Sequence, residues 1–235
     1  MPAAADFTPV AECMRGAGLP DIVIRTFAHY FEQLAAGYKG LISESEIRPV
    51  EALPGTDDIT AEQEAQGRAA LSGAILLKLN GGLGTGMGLA RAKSLLKVKD
   101  GHSCLDIMAR QAIGADIPLV LMNSFSTRDD SLAALAKYPE LTGDLPLDFM
   151  QHKVPKLGAA DLRPIDWPAD PELAWCPPGH GDLYTALLTS GLLDKLLDAG
   201  YHTAFVSNSD NLGAVMDPAI LGYFVANELP FMMEV

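Results

Sequence analysis

Cysteine is scarce, long apolar runs are missing and basic residues are outnumbered, and each shortage closes off a class of function. The three cysteines, Cys13, Cys104 and Cys176, stand far apart in a chain of 235 residues. They form neither a disulfide framework nor zinc-ligand pairs, and read as reduced thiols. The longest apolar runs, such as Ala74-Ile75-Leu76-Leu77 and Ile117 to Met122, fall far short of the roughly 20 residues that span a bilayer. The opening Met1-Pro2-Ala3-Ala4-Ala5-Asp6 has no basic end leading into an apolar core, so no secretion signal is read and the cytoplasm is the expected compartment. Seventeen basic residues against thirty acidic ones give a net charge of −13, which speaks against nucleic-acid or membrane partners. At 49% hydrophobic and 20% charged residues the chain is globular rather than disordered, collagen-like or coiled-coil.

What is present begins with helices. Phe27, Tyr30, Phe31 and Leu34 are spaced to give one apolar face to a helix from about Asp21 to Ala36, with Asp21 as N-cap and Gly37 as stop. A connector rich in acids, with Pro49, Pro54 and Gly55, and a further helix from about Thr60 to Leu71 follow. Residues 1–70 thus read as a peripheral helical segment with its connector. From Ala74 strands alternate with helices. Strands are expected at Ala74–Leu79, Ile117–Met122, Phe149-Met150, Thr203–Val206 and Pro230–Val235. Helices are expected at Ser103–Ile113, Asp129–Lys137, Asp182–Ala199 and Asp217–Asn227, with Asp182, Asn211 and Asp217 as N-caps. Such alternation argues for a largely parallel sheet covered on both faces. The final run Phe231-Met232-Met233-Glu234-Val235 reads as a core strand with nothing polar after it, so the chain is expected to be truncated.

Local charge opposes the acidic average in one place. From Leu71 to Lys99 there is no acid, while Lys78, Arg91, Lys93, Lys97 and Lys99 are all present. The same stretch holds Leu79-Asn80-Gly81-Gly82-Leu83-Gly84-Thr85-Gly86-Met87-Gly88, with five glycines in eight residues, and then Lys93-Ser94. A strand ending in such a loop lets several backbone N–H groups converge on one phosphate, and ligands of open α/β sheets bind at the carboxyl ends of strands. Two standard patterns fail. The dinucleotide pattern G-x-G-x-x-G would need glycine at Met87 or Leu89, and the P-loop would need it at Ala92, before Lys93-Ser94.

The pattern L-x-G-G-x-G-T-x-x-G followed by a lysine resembles the loop of sugar nucleotidyltransferases. Asn80 and the Met87-Gly88 pair make it similar to the UDP-glucose pyrophosphorylase (UTP–glucose-1-phosphate uridylyltransferase) family, more than to UDP-N-acetylhexosamine or small bacterial relatives. Four more stretches resemble that family in order: Met122-Asn123-Ser124-Phe125-Ser126-Thr127, Phe149-Met150-Gln151, Pro177-Pro178-Gly179-His180-Gly181-Asp182, and Ser207-Asn208-Ser209-Asp210-Asn211-Leu212-Gly213-Ala214.

The resemblance implies a three-layer α/β/α Rossmann-like nucleotidyltransferase domain with a mostly parallel central sheet, preceded by N-terminal helices. Residues 71–235 would be its nucleotide-binding part, incomplete at the C-terminus. It implies Mg²⁺-dependent attack of glucose 1-phosphate on the α-phosphorus of UTP, releasing pyrophosphate and forming UDP-glucose. It also implies the residue roles. Leu79, Asn80, Gly81, Gly82, Gly84 and Thr85 would hold the nucleotide, and Lys93 would act on the phosphates. Gln151 would read the uracil edge, with Gly179 allowing backbone approach to base or ribose. His180 would donate to the sugar phosphate, Asn208 would contact the sugar or ribose, and Asp210 would hold Mg²⁺. Ala92 stands where many relatives have proline, and Met150 where many have asparagine. The alternatives are a pyrophosphorylase for galactose or N-acetylglucosamine 1-phosphate, and a nucleotide-binding fragment without catalysis. Homo-oligomer formation is left open.

Overall fold

The computed structural model describes residues 6–83 and 91–235. Its first helices are α1 (Thr8–Gly16), α2 (Asp21–Ala35) and α3 (Ala61–Ala70), followed by the strand β1 (Ala74–Asn80). A hairpin of β2 (Lys97–Lys99) and β3 (His102–Ser103) leads into α4 (Cys104–Ala115) and β4 (Leu119–Asn123). Next come α5 (Arg128–Leu135), β5 (Asp148–Met150) and a second hairpin of β6 (Val154–Pro155) with β7 (Trp175–Cys176). The chain continues through α6 (Leu183–Thr189), α7 (Leu192–Asp198), β8 (Thr203–Asn208) and α8 (Pro218–Ala226). It forms two compact units: Met1–Glu51 with Gln151–Thr189, and Ala52–Met150 with Ser190–Val235.

The second of these units carries a four-stranded sheet in the order β5-β4-β1-β8, with every pair parallel. Apolar residues on both faces of a strand require cover on both sides; β1 and β4 have it, while the edge strand β8 leaves Ala204 and Val206 exposed. Leu76, Leu119 and Leu121 pack with Leu105, Met108 and Ala112 of α4 and Leu135 of α5. The alternate residues Ile75, Leu77, Val120 and Met122 are buried too. This is the expected α/β fold with a parallel central sheet.

Two devices fix the helices of this unit. At the start of α4, Ser103 Oγ accepts from the Asp106 N–H while the Asp106 carboxylate accepts from the Ser103 N–H, a reciprocal cap. Helices α3 and α8 meet at two glycines. A Cβ on Gly67 would fall inside contact distance of Pro218 O and Gly222 N, and one on Gly222 would strike Gln63 O.

In the other unit α1 and α2 make a core of their own, where Val10, Met14, Val23, Ile24 and Phe31 are buried with Val154 of β6. The buried stripe of α2 therefore runs through Val23, Phe27 and Phe31. Tyr30 and Leu34, expected on it, are exposed. Pro20 rather than Asp21 is the N-cap of α2, and Asp21 is its first residue. Gly37, at φ 84, ends it as expected.

Two further expectations are corrected. The single helix over Asp182–Ala199 is broken between α6 and α7, where Gly191 takes φ 70 in the left-handed region. The strand expected at Pro230–Val235 is not formed. A strand needs a ladder partner, this segment has none among the described residues, and Phe231, Met233 and Val235 are exposed.

Candidate functional site

Three strands of the parallel sheet end in asparagine, and their ends lie side by side. Asn80 of β1 pairs in register with Asn123 of β4, Asn123 with Met150 of β5, and Leu79 with Asn208 of β8. Asn80 is buried and donates through Nδ2 to Asn123 Oδ1 at 2.7 Å and Ser131 Oγ at 2.8 Å. Asn123 in turn donates to Asp148 Oδ2 at 3.1 Å, and Arg128 Nε donates to the same carboxylate at 2.7 Å. A polar chain thus ties the carboxyl ends of β1 and β4 to Asp148, the first residue of β5. Both amide hydrogens of Asn80 are committed to it, so what Asn80 can still offer a ligand is its side-chain oxygen and its backbone.

The glycine loop leaves this edge with its base pinned. Ser124 Oγ donates to Gly81 O at 2.9 Å, Lys93 N–H donates to Gly82 O at 3.2 Å, and Leu83 bridges Ala92. Gly84 and Thr85, with Gly86, Met87 and Gly88, lie outside the described residues. Leu79 O accepts from the Ser209 N–H at 3.1 Å, joining the end of β1 to the loop after β8. On that loop the half-exposed carboxylate of Asp210 stands 3.4 Å from Lys93 Nζ, itself half-exposed. The structure therefore brings Leu79, Gly81, Gly82, Lys93, Asn208 and Asp210 together at one edge.

Lys78, which the sequence offered only as one of a run of basic residues, supports the same loop from below. It is 2% exposed, and its ammonium donates to Ser207 Oγ at 2.6 Å and Ala214 O at 2.9 Å. Burial lowers its pKa from 10.5 to about 8. Its position inside an apolar strand was the available signal, because a lysine there is rarely buried without partners. The recess beside it, about 290 Å³ and bordered by Leu76, Gln111, Ile117, Ala214 and Met216, contains none of the expected site residues.

Gln151, Gly179 and His180 belong to the other unit. Gln151 is 6% exposed, and its amide has no hydrogen-bond partner among the described residues. Gly179 adopts φ 102 and ψ −174, a conformation that favours glycine, and precedes a short turn carrying exposed His180. Asp182, expected as a helix N-cap, instead turns its carboxylate to His152. Asp217 is the cap expected, accepting from the Ala219 N–H at 2.7 Å, while no side-chain cap from Asn211 is seen among the described residues.

The sheet edge offers Mg²⁺ few protein ligands. No cluster of three or more His, Cys, Asp or Glu side chains occurs among the described residues. Asp210 presents a carboxylate 3.4 Å from Lys93 Nζ. One carboxylate suits an ion that keeps its waters and is shared with substrate phosphates, and does not suit a protein cage. The three thiols are free, and burial pushes each of them up. No helix among the described residues is long and apolar enough to cross a membrane.

The family model described as UTP–glucose-1-phosphate uridylyltransferase matches residues 24–235. The chain belongs to the UTP–glucose-1-phosphate uridylyltransferase family. Enzymes of that name from Solanum tuberosum and Saccharomyces cerevisiae are each 40% identical to it, over 74% and 73% of this chain and 38% and 36% of their own. The one from Musa acuminata is 34% identical over 99% of this chain and 50% of its own. A Leishmania major UDP-glucose pyrophosphorylase variant in complex with UDP-glucose superposes with a TM-score of 0.86 at 41% identity, covering 97% of this chain and 48% of that one. A Trypanosoma brucei UDP-glucose phosphorylase gives 0.85 at 42% identity, over 97% and 49%. The chain spans half or less of the length of these uridylyltransferase-family relatives. Their shared name does not favour the galactose and N-acetylglucosamine alternatives.

Proposed function

We propose that this chain is the nucleotide-binding part, residues 71–235 with the helices before them, of an enzyme that transfers a uridylyl group from UTP to glucose 1-phosphate. A phosphate oxygen of the sugar phosphate attacks the α-phosphorus of UTP, the bond to the leaving pyrophosphate breaks, and UDP-glucose forms. The observation that carries the reading is the meeting of a glycine loop, Lys93 and Asp210 at the carboxyl edge of a parallel sheet, in a chain matching the family over 24–235. We place the reaction in the cytoplasm, in keeping with the free thiols.

Phosphoryl and nucleotidyl transfer ask a protein for positioning and charge neutralisation rather than covalent help. In this reading the Gly81 and Gly82 backbone holds the nucleotide, and Lys93 sets a point charge beside the transferring phosphates. Gln151 offers the uracil edge an amide that has no other partner among the described residues, and the open φ of Gly179 lets base or ribose approach. His180 donates to the sugar phosphate, and Asn208 faces sugar or ribose. Asp210 holds Mg²⁺, which supplies neutralising charge on the phosphates when bound.

Pyrophosphate release tests the proposal, measured with UTP, Mg²⁺ and each of three sugar 1-phosphates. Faster release with glucose 1-phosphate than with galactose or N-acetylglucosamine 1-phosphate is expected. Because relatives are twice as long or more, turnover is expected to be weak until a relative's remaining half is supplied in trans or by fusion. UTP binding with no release under either condition would leave a binding module in place of an enzyme.

A further inference from the structure

The part-buried pairing of Asp182 with His152 in the first unit has no role in the substrate contacts proposed so far. The Asp182 carboxylate, 6% exposed, accepts from the His152 backbone N–H at 2.6 Å. Its two oxygens also stand 2.9 and 3.1 Å from His152 Nδ1. A carboxylate only accepts, so Nδ1 carries the hydrogen in this pairing, an assignment made from the partner. The far ring nitrogen, Nε2, is 3.0 Å from Thr189 Oγ1, whose one hydroxyl hydrogen can go to that nitrogen or to Thr185 O on α6. Main chain and ring of residue 152 are thus both fastened to residue 182, and the ring is braced on a helix.

The two ends of this clamp adjoin the two segments meant to meet the base. Gln151 is the residue before His152, and Gly179, His180 and Gly181 are the residues before Asp182. Little else holds the second segment. Pro177, Pro178, His180 and Gly181 are exposed, and a Cβ placed on Gly179 or Gly181 would touch nothing within 4 Å. A loop without packing keeps one conformation only if its ends are fixed. We propose that Asp182 and His152 are positioning residues for uridine selection, holding the Gln151 amide and the Gly179–His180 backbone in one fixed arrangement. The inference rests on the uridylyltransferase reading.

Cytidine triphosphate is the discriminating probe, because it differs from UTP at the pyrimidine edge alone. Affinities for UTP and CTP with Mg²⁺ are measured by calorimetry on the wild-type chain, Asp182→Asn, His152→Ala and His152→Asn, with the thermal midpoint of each as a fold control. In the first two variants the UTP preference is expected to fall about tenfold while CTP affinity stays, since a group that only orders the base site acts on the difference between bases. In His152→Asn the preference is expected to survive, because an asparagine amide N–H can replace the Nδ1 donor. Hydrogen exchange is expected to quicken at 150–152 and 179–182 in Asp182→Asn and to stay unchanged in β1. A folded Asp182→Asn with the wild-type ratio overturns the inference and leaves the reading intact. If Asp182→Asn fails to fold, an unchanged ratio in His152→Ala does the same. A wild-type chain that binds UTP and CTP alike, or neither, overturns the uridine reading itself, and the inference with it.

Discussion

Lys93 and Asp210 are both half-exposed and 3.4 Å apart, and a pair of that kind contributes about 0–1 kcal/mol to stability. Their value to the fold is small, so replacing either isolates the function proposed for it. Lys93→Ala is expected to leave the urea midpoint nearly unchanged and to weaken Mg²⁺-UTP binding about tenfold, about 1.4 kcal/mol; equal affinity in a calorimetric titration would remove Lys93 from the phosphate site. Lys78 is the opposite case. Burial holds its folded pKa at about 8 against an ordinary 10.5. Below pH 8 both folded and unfolded chains keep the proton, and the folded state carries the whole cost of a buried ammonium. Between pH 8 and 10.5 the folded state releases its proton first, so stability rises with pH, by about 3 kcal/mol in all. Urea unfolding of wild type and Lys78→Met across that range is expected to show this rise in the wild type and its loss in the variant. Parallel pH curves would mean that the ammonium is better solvated than its 2% exposure implies.

Among the elements, the α3–α8 crossing and the start of α4 depend most on single residues. Alanine exceeds glycine in helix propensity by about 1 kcal/mol, yet Gly67→Ala is expected to destabilise. Its Cβ would meet backbone atoms of Pro218 and Gly222, and such overpacking costs about 1–3 kcal/mol. A raised thermal midpoint would show instead that the helices can part freely. At α4, burial pushes the Asp106 carboxyl up, but Lys137, the Ser103 N–H and hydroxyl, and Tyr138 outweigh it and hold the group well below the usual carboxylate range. A lowered carboxylate stabilises above its unfolded pKa and loses that contribution as pH falls through the folded value. Asp106→Asn is therefore expected to cost about 1–2 kcal/mol at pH 7, and to cost progressively less in acid; chemical denaturation at pH 7 and pH 3 checks both.

Elements were legible in the sequence where local chemistry decides them. Strands β1, β4 and β8 announced themselves as apolar runs closed by asparagine, and α3 was expected over about Thr60 to Leu71, with the Thr60 cap shown only by the structure. The long helix over 182–199 misled because its leucine spacing continues across Gly191, and only the backbone shows the left-handed turn there. Pro230–Val235 misled because apolarity signals burial and not a pairing partner.

At the scale of the molecule, order along the chain and compactness in space part company. The sequence motifs run in one series, but Gln151, Gly179 and His180 belong to one unit and Leu79, Lys93, Asn208 and Asp210 to the other. The sheet-edge group could be read from motif spacing, because each member lies at the end of an apolar strand or shortly after a strand or the glycine loop. The link from His152 to Asp182 could not, since thirty residues separate them and neither carries a local signal of the other. Selection of a uridine nucleotide by this chain is the property on which the proposed function depends. Calorimetric titration with UTP, and separately with ATP, in Mg²⁺ is the direct measurement. Saturable UTP binding with ATP at least tenfold weaker is the predicted result; ATP bound as tightly as UTP, or binding of neither, would contradict it.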